Sequence, residues 1–131
     1  MKIMKLKLVE VLKLNSLLKA IIDNEQLKID PLLKFKLLGV MKDIETPVNN
    51  FEIIRNDKIK EYGKEVEDEN GNKNIAISVD DEQSINKFKE DIDKITQSEI
   101  QVNIQKIKAS EIFDKGLPSD YMIGLYPIIE E

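Results

Sequence analysis

No histidine, cysteine or tryptophan occurs in the 131 residues, and Arg55 is the only arginine. Each absence removes a class of chemistry. Without histidine, the side chain that titrates near neutral pH is missing, and with it the usual general base for a serine nucleophile. Without cysteine there are no disulfides, thiolates or thiolate metal ligands. With one arginine, planar bidentate recognition of phosphate or carboxylate is nearly out of reach. The five glycines lie apart at Gly39, Gly63, Gly71, Gly116 and Gly124, so no glycine-rich phosphate loop is present. No apolar run reaches the roughly 18 residues that span a bilayer. No long apolar region or small-residue cleavage site follows Lys2, Lys5 and Lys7, and the expected location is the cytoplasm.

What is present suits one domain over residues 1–131. Hydrophobic residues make up 41% and charged residues 34%, enough for a core that must be Ile, Leu and Val because aromatics are only 5%. Charge is unevenly divided. Residues 1–42 hold nine lysines against four acids, and residues 43–131 hold 11 bases against 21 acids. Such a polarised chain either steers a partner or pairs its basic first part with its acidic remainder.

Lys5-Leu6-Lys7-Leu8 alternates as a short strand does, and steps of three and four from Val9 to Ile22 then predict a helix. Asp30 followed by Pro31 reads as a cap and first helical position. The apolar stripe from Leu33 continues to Tyr62, which predicts one long helical arm over 31–62, kinked or broken at Thr46-Pro47. Asn70-Gly71 predicts a type I′ hairpin with Asp68 facing Lys73, Val66 facing Ile75 and Lys64 facing Ile77. Asp80 or Asp81 caps a further helix carrying Ile85, Phe88, Ile92 and Ile95 on one face. Ile100, Val102 and Ile104 alternate as a strand, and a short helix follows Leu117-Pro118-Ser119 until Pro127. The expected fold is therefore α+β: a small antiparallel sheet with a β-hairpin, from Leu6–Leu8, Val66–Val79 and Ile100–Ile104, packed against helices, with a long helical arm. The helix over 82–97 is expected to run antiparallel to that arm.

None of the serines Ser16, Ser78, Ser84, Ser98, Ser110 and Ser119 sits in a nucleophile motif. The acidic stretch around Asn70-Gly71 fails as a calcium loop, because Gly71 at the sixth position puts Val66 where an oxygen ligand is required. A looser Mg²⁺ or Ca²⁺ site at Asp80, Asp81 and Glu82 competes with a plain solvated acidic surface. The lysines of the first part offer phosphate contacts without the arginines or stacking aromatics of specific nucleic-acid readout. No enzyme activity, cofactor, specific nucleic acid or membrane partner is expected.

Several landmarks together resemble a family of small proteins of unknown function encoded by tailed phages and prophages of Firmicutes. They are the Lys5–Leu8 strand and its Leu-rich helix, Ile44-Glu45-Thr46-Pro47, Tyr62-Gly63, Asp68-Glu69-Asn70-Gly71, Phe88, Glu99-Ile100-Gln101-Val102 and the ending Leu125-Tyr126-Pro127-Ile128-Ile129-Glu130-Glu131. The resemblance implies a phage origin and supplies no catalytic residues. Two functions then stand as expectations. One is a non-enzymatic protein-binding factor that inhibits a host defence or regulatory protein by occlusion. Its contact is an acidic surface of Glu65, Glu67, Asp68, Glu69, Asp80, Asp81 and Glu82, which mimics nucleic acid against a basic target. The other is a tail or head accessory protein in virion assembly that forms homo-oligomers through its helical arm.

Overall fold

The computed structural model describes residues 2–130. The chain runs β1 (Lys2–Lys7), α1 (Leu8–Asp23), α2 (Pro31–Asp43), α3 (Glu45–Tyr62), β2 (Lys64–Glu67), β3 (Lys73–Ala76) and α4 (Glu82–Thr96). It continues through β4 (Glu99–Ile104), β5 (Ile107–Lys108), α5 (Ser119–Gly124) and β6 (Ile129–Glu130), with 3-10 turns at Ala109–Glu111 and Tyr126–Ile128. The class is α+β, with five helices and small sheets. It divides into two compact units: residues 1–48 with 99–131, and residues 49–98, the boundary falling inside α3 after Val48.

The first unit holds most of the core. Sixteen of the seventeen buried apolar side chains among the described residues belong to it. α1 buries Leu8, Val11, Leu14, Leu18 and Ile21 and packs on α2, α5 and β1. From Val11 onward this is the helical spacing that the sequence predicts, whereas Leu8, expected at the end of the strand, is the first residue of the helix. From α2 come Leu33, Leu37 and Val40, on a helix whose first turn is held by Asp30 accepting the Leu33 N–H at 3.3 Å. β1 and β4 pair antiparallel, Lys2 with Ile104 through Lys7 with Glu99, and β4 turns Val102 and Ile104 inward. β5 and β6 pair in parallel, Ile107 with Ile129. Gly116, at φ +88, lies where a Cβ would strike the Lys28 carbonyl. Next to it, Asp30 donates its N–H to the Lys115 carbonyl at 2.8 Å.

The second unit contains α3 from Asn49, the β2–β3 hairpin and α4. Among its described residues the buried apolar side chain is Phe51. Ile85, Phe88, Ile92 and Ile95 do share one side of α4 and are only half-buried. Polar links add to these half-buried residues. Tyr62 donates its hydroxyl to Asp91 Oδ2 at 2.6 Å, and Lys58 Nζ lies 2.8 Å from Glu61 and 3.6 Å from Asp91. Gly63 ends α3: its N–H donates to the Ile59 carbonyl at 2.7 Å, and Ala76 O and Ile75 Cγ2 stand 3.0 Å from where a Cβ would be.

Three sequence expectations are corrected in detail. The long helical segment breaks at Ile44, not at Thr46-Pro47, with Ile44 at φ −102 and ψ 3. A continuous helix would set the Pro47 ring against the Asp43 carbonyl, so the break falls one turn upstream. Pro47 then occupies the first turn of α3, where no N–H is needed. The hairpin register is one residue off the expected one: Lys64 pairs with Ala76, Glu65 with Ile75, Val66 with Asn74 and Glu67 with Lys73. Lastly, the hairpin and the β1–β4 ladder are separate two-stranded sheets, not one sheet.

Candidate functional site

All seven acidic residues singled out from the sequence fall in the second unit, and the structure gives them different tasks. Glu65 and Glu67 alternate along one face of β2, opposite Ile75 and Lys73. Both are exposed, and Lys73 Nζ stands 3.8 Å from Glu65 Oε1, a loose surface pair of small energetic worth. Asp68 and Glu69 open the loop between the strands. Asp68 Oδ1 accepts the N–H groups of Asn70 and Asn72, both at 2.9 Å, so this carboxylate builds the loop. Glu69 is exposed.

The second acidic group begins α4. Asp81 is its N-cap: Oδ1 accepts the Ser84 N–H at 3.2 Å and Oδ2 accepts the Ser84 hydroxyl at 2.8 Å. Those bonds hold its carboxyl below the usual aspartate range, helped by the charges of Lys64 and Lys87. Asp80 donates its backbone N–H to Ser78 Oγ at 3.3 Å and leaves its carboxylate exposed, and Glu82 is exposed in the first helical turn.

Five carboxylates, Glu65, Glu67, Glu69, Asp80 and Glu82, are therefore exposed, while Asp68 and Asp81 bond the local backbone. Among the described residues no three acidic side chains converge on a point where a metal ion would sit. Nor is any helix long and apolar enough to cross a membrane among them.

Charge is sorted by unit more sharply than by position along the chain. Residues 49–98 carry 13 acidic and eight basic side chains, whereas the other unit carries 12 of each. The whole net charge of −5 thus belongs to the second unit. The basic first 42 residues are balanced within their own unit by Asp43, Glu45 and the acids after Ser98, and the Lys36–Glu111 ion pair is one such match. Because the two parts of the first unit are far apart in sequence, a linear count hid this neutrality.

Sequence reasoning also missed a concavity of about 550 Å³ between the last turns of α3 and the hairpin. Ile59 and Ile75 line it with Lys60, Glu65 and Lys73, and Gly63 keeps its floor low. Gly63 was readable only as a helix stop, since the return of β3 onto it is a tertiary contact. It places apolar surface beside the exposed carboxylates of β2, so the unit can offer a partner both charge and modest apolar contact. No protein-family model, curated protein or solved structure matches this chain.

Proposed function

We propose that this chain is a non-catalytic protein-binding factor of phage or prophage origin that acts in the host cytoplasm. Its second unit engages a basic surface on a host protein and inhibits that protein by occlusion. The observation behind this reading is the segregation of all the net charge onto residues 49–98, with Glu65, Glu67, Glu69, Asp80 and Glu82 exposed there. A field of one sign on one unit speeds encounter with an oppositely charged target and disfavours other partners. The test is purification of the tagged chain from its own host at moderate and at high salt. A stoichiometric basic protein that is lost at high salt supports the reading. Recovery unaffected by salt, or by lysine at Glu65, Glu67 and Glu69, sinks it.

A second reading, self-association through the helical arm in virion assembly, is favoured by α3, where Ile53 is 58% exposed and Ile54 39%. Like charges on two copies of the acidic unit oppose it. Sedimentation over a range of protein and salt concentrations separates the two: arm-led assembly strengthens as salt screens that repulsion.

A further inference from the structure

β1 has one partner strand, β4, and its other edge meets no strand among the described residues. Lys7 donates its N–H to Glu10 Oε1 at 3.2 Å, away from the ladder. Alternation along an antiparallel pair then puts the N–H and C=O of Ile3 and Lys5 on the same outer edge, since they share the parity of Lys7. Among the described residues, no backbone hydrogen bond outside the ladder reaches either of them.

Beside this edge lies a groove of about 950 Å³. Glu10, which meets Lys7 on the outer edge, is part of its wall, so edge and groove adjoin. Met4 and Leu6 from β1 face it, with Phe113, Met122, Ile123 and Tyr126 from the C-terminal segment. Ile123 is 81% exposed, Tyr126 72% and Phe113 51%, an exposed apolar group that lines the groove. Methionine and aromatic side chains adapt readily to an entering apolar residue.

We infer that the outer edge of β1 is a strand-addition site for an extended peptide of a partner protein in which apolar residues alternate with acidic ones. The Ile3 and Lys5 backbone groups take the peptide into the ladder. The apolar residues of the peptide enter the groove beside Met4 and Leu6, and its acidic residues meet the opposite face, where Lys5 and Lys7 are exposed. The charge of that face argues against a second copy of β1 as the occupant, because Lys5 and Lys7 of two copies would be crowded together. This site lies in the first unit and does not depend on the acidic surface of the second.

Selection of a random octapeptide library on the full-length protein, followed by hydrogen exchange with the recovered peptides, tests the inference. The expected peptides alternate apolar residues with Asp or Glu, and slow the exchange of the Ile3 and Lys5 amides by about tenfold or more. In the Lys5→Glu variant, whose altered side chain is exposed and outside the core, selection should turn toward basic peptides. In Ile123→Asp, affinity for the original peptides should fall about tenfold. Failure to enrich any peptide overturns the site, as does protection elsewhere, such as on β3 or the free edge of β4. Slow exchange of Ile3 and Lys5 that depends on protein concentration, without peptide, would assign the edge to a second copy instead.

Discussion

Tyr62 on α3 donates its hydroxyl to Asp91 on α4 at 2.6 Å, across 29 residues of sequence. Lys58 joins the pair, 3.6 Å from Asp91 and 5.8 Å from the Tyr62 ring centroid. Residues 49–98 bury little apolar surface, so this cluster carries more of their cohesion than it would inside a larger core.

That makes the unit sensitive to pH at both extremes. The Tyr62 hydroxyl, followed by the Lys58 charge, holds the Asp91 carboxyl below the ordinary 3.8, and Ser84 does the same for Asp81. A carboxyl lowered on folding stabilises the folded state above its unfolded value, and this is lost as pH falls through the folded one. The bond to Asp91 pushes the Tyr62 hydroxyl above 10.0, and the bond to Glu61 pushes Lys58 above 10.5. Those contributions are present below the unfolded values and vanish as pH rises through the folded ones. Amide exchange across α3 and α4 should therefore be slowest at neutral pH, after correction for intrinsic rates, and quicken on both sides. In Tyr62→Phe the Asp91 carboxyl, followed by carbon-13 NMR, should titrate at higher pH than in the parent. An unchanged midpoint would remove the hydroxyl as the cause.

The hairpin makes a prediction opposite to that of an ordinary Asn-Gly turn. A type I′ turn needs positive φ at both central residues. Here Gly71 has φ +82, and Asp114 is the only non-glycine with positive φ among the described residues, so Asn70 does not adopt it. The Gly71 N–H donates to the Asp68 carbonyl at 3.1 Å and the Asp68 N–H to the Asn72 carbonyl at 2.9 Å, a type I turn followed by a glycine bulge. Asn70→Ala should thus leave the hairpin intact, while Gly71→Ala should destabilise it by about 1 kcal/mol. Cross-strand NOEs between the Glu65–Ile75 pair report the register in each. Equal damage from the two substitutions would favour the type I′ arrangement.

What the sequence made legible here is local, and what it hid is mostly long-range. Asp30-Pro31 and Asp81 start helices as capping chemistry requires, and Val11, Leu14, Leu18 and Ile21 from the three-and-four spacing read over Val9 to Ile22 become a buried face. The one-residue hairpin shift came from a competing local bond, the Asp68 carboxylate on Asn70 and Asn72, which an Asn-Gly pair does not advertise. The β1–β4 pairing joins Lys2 to Ile104, and strands of two residues such as β5 and β6 have no periodicity to read. For the site, exposure of Glu65, Glu67 and Glu69 followed from composition. The engagement of Asp68 and Asp81 required backbone geometry, and the neutrality of the first unit required knowing which segments share it.

The uneven core predicts uneven stability. Leu18, fully buried on α1, should lose about 2–5 kcal/mol on change to Ala, since a cavity adds to the lost transfer energy. Ile92→Ala on α4 should lose less, because Ile92 is half-buried. Denaturant midpoints measure both, and native-state exchange should find α1 amides slowest and the β2–β3 amides among the fastest. A larger loss at Ile92 than at Leu18 would mean that α4 is covered by another copy in solution.

Charge reversal at the acidic surface separates presentation from contact. Lysine at Glu65, Glu67 and Glu69 removes three exposed carboxylates without touching a capping bond, and folding should be nearly unchanged. Association with a basic partner should then slow by about tenfold or more, since steering acts mainly on the encounter rate and weakens with salt. Asp81→Asn keeps a capping oxygen for the Ser84 N–H and removes one charge, so its effect on association should be much smaller. Stopped-flow association with the protein recovered from the host, at low and physiological salt, gives both numbers. If the triple lysine variant associates as fast as the parent, the carboxylates serve solubility, and the contact lies on the half-buried apolar residues of α4.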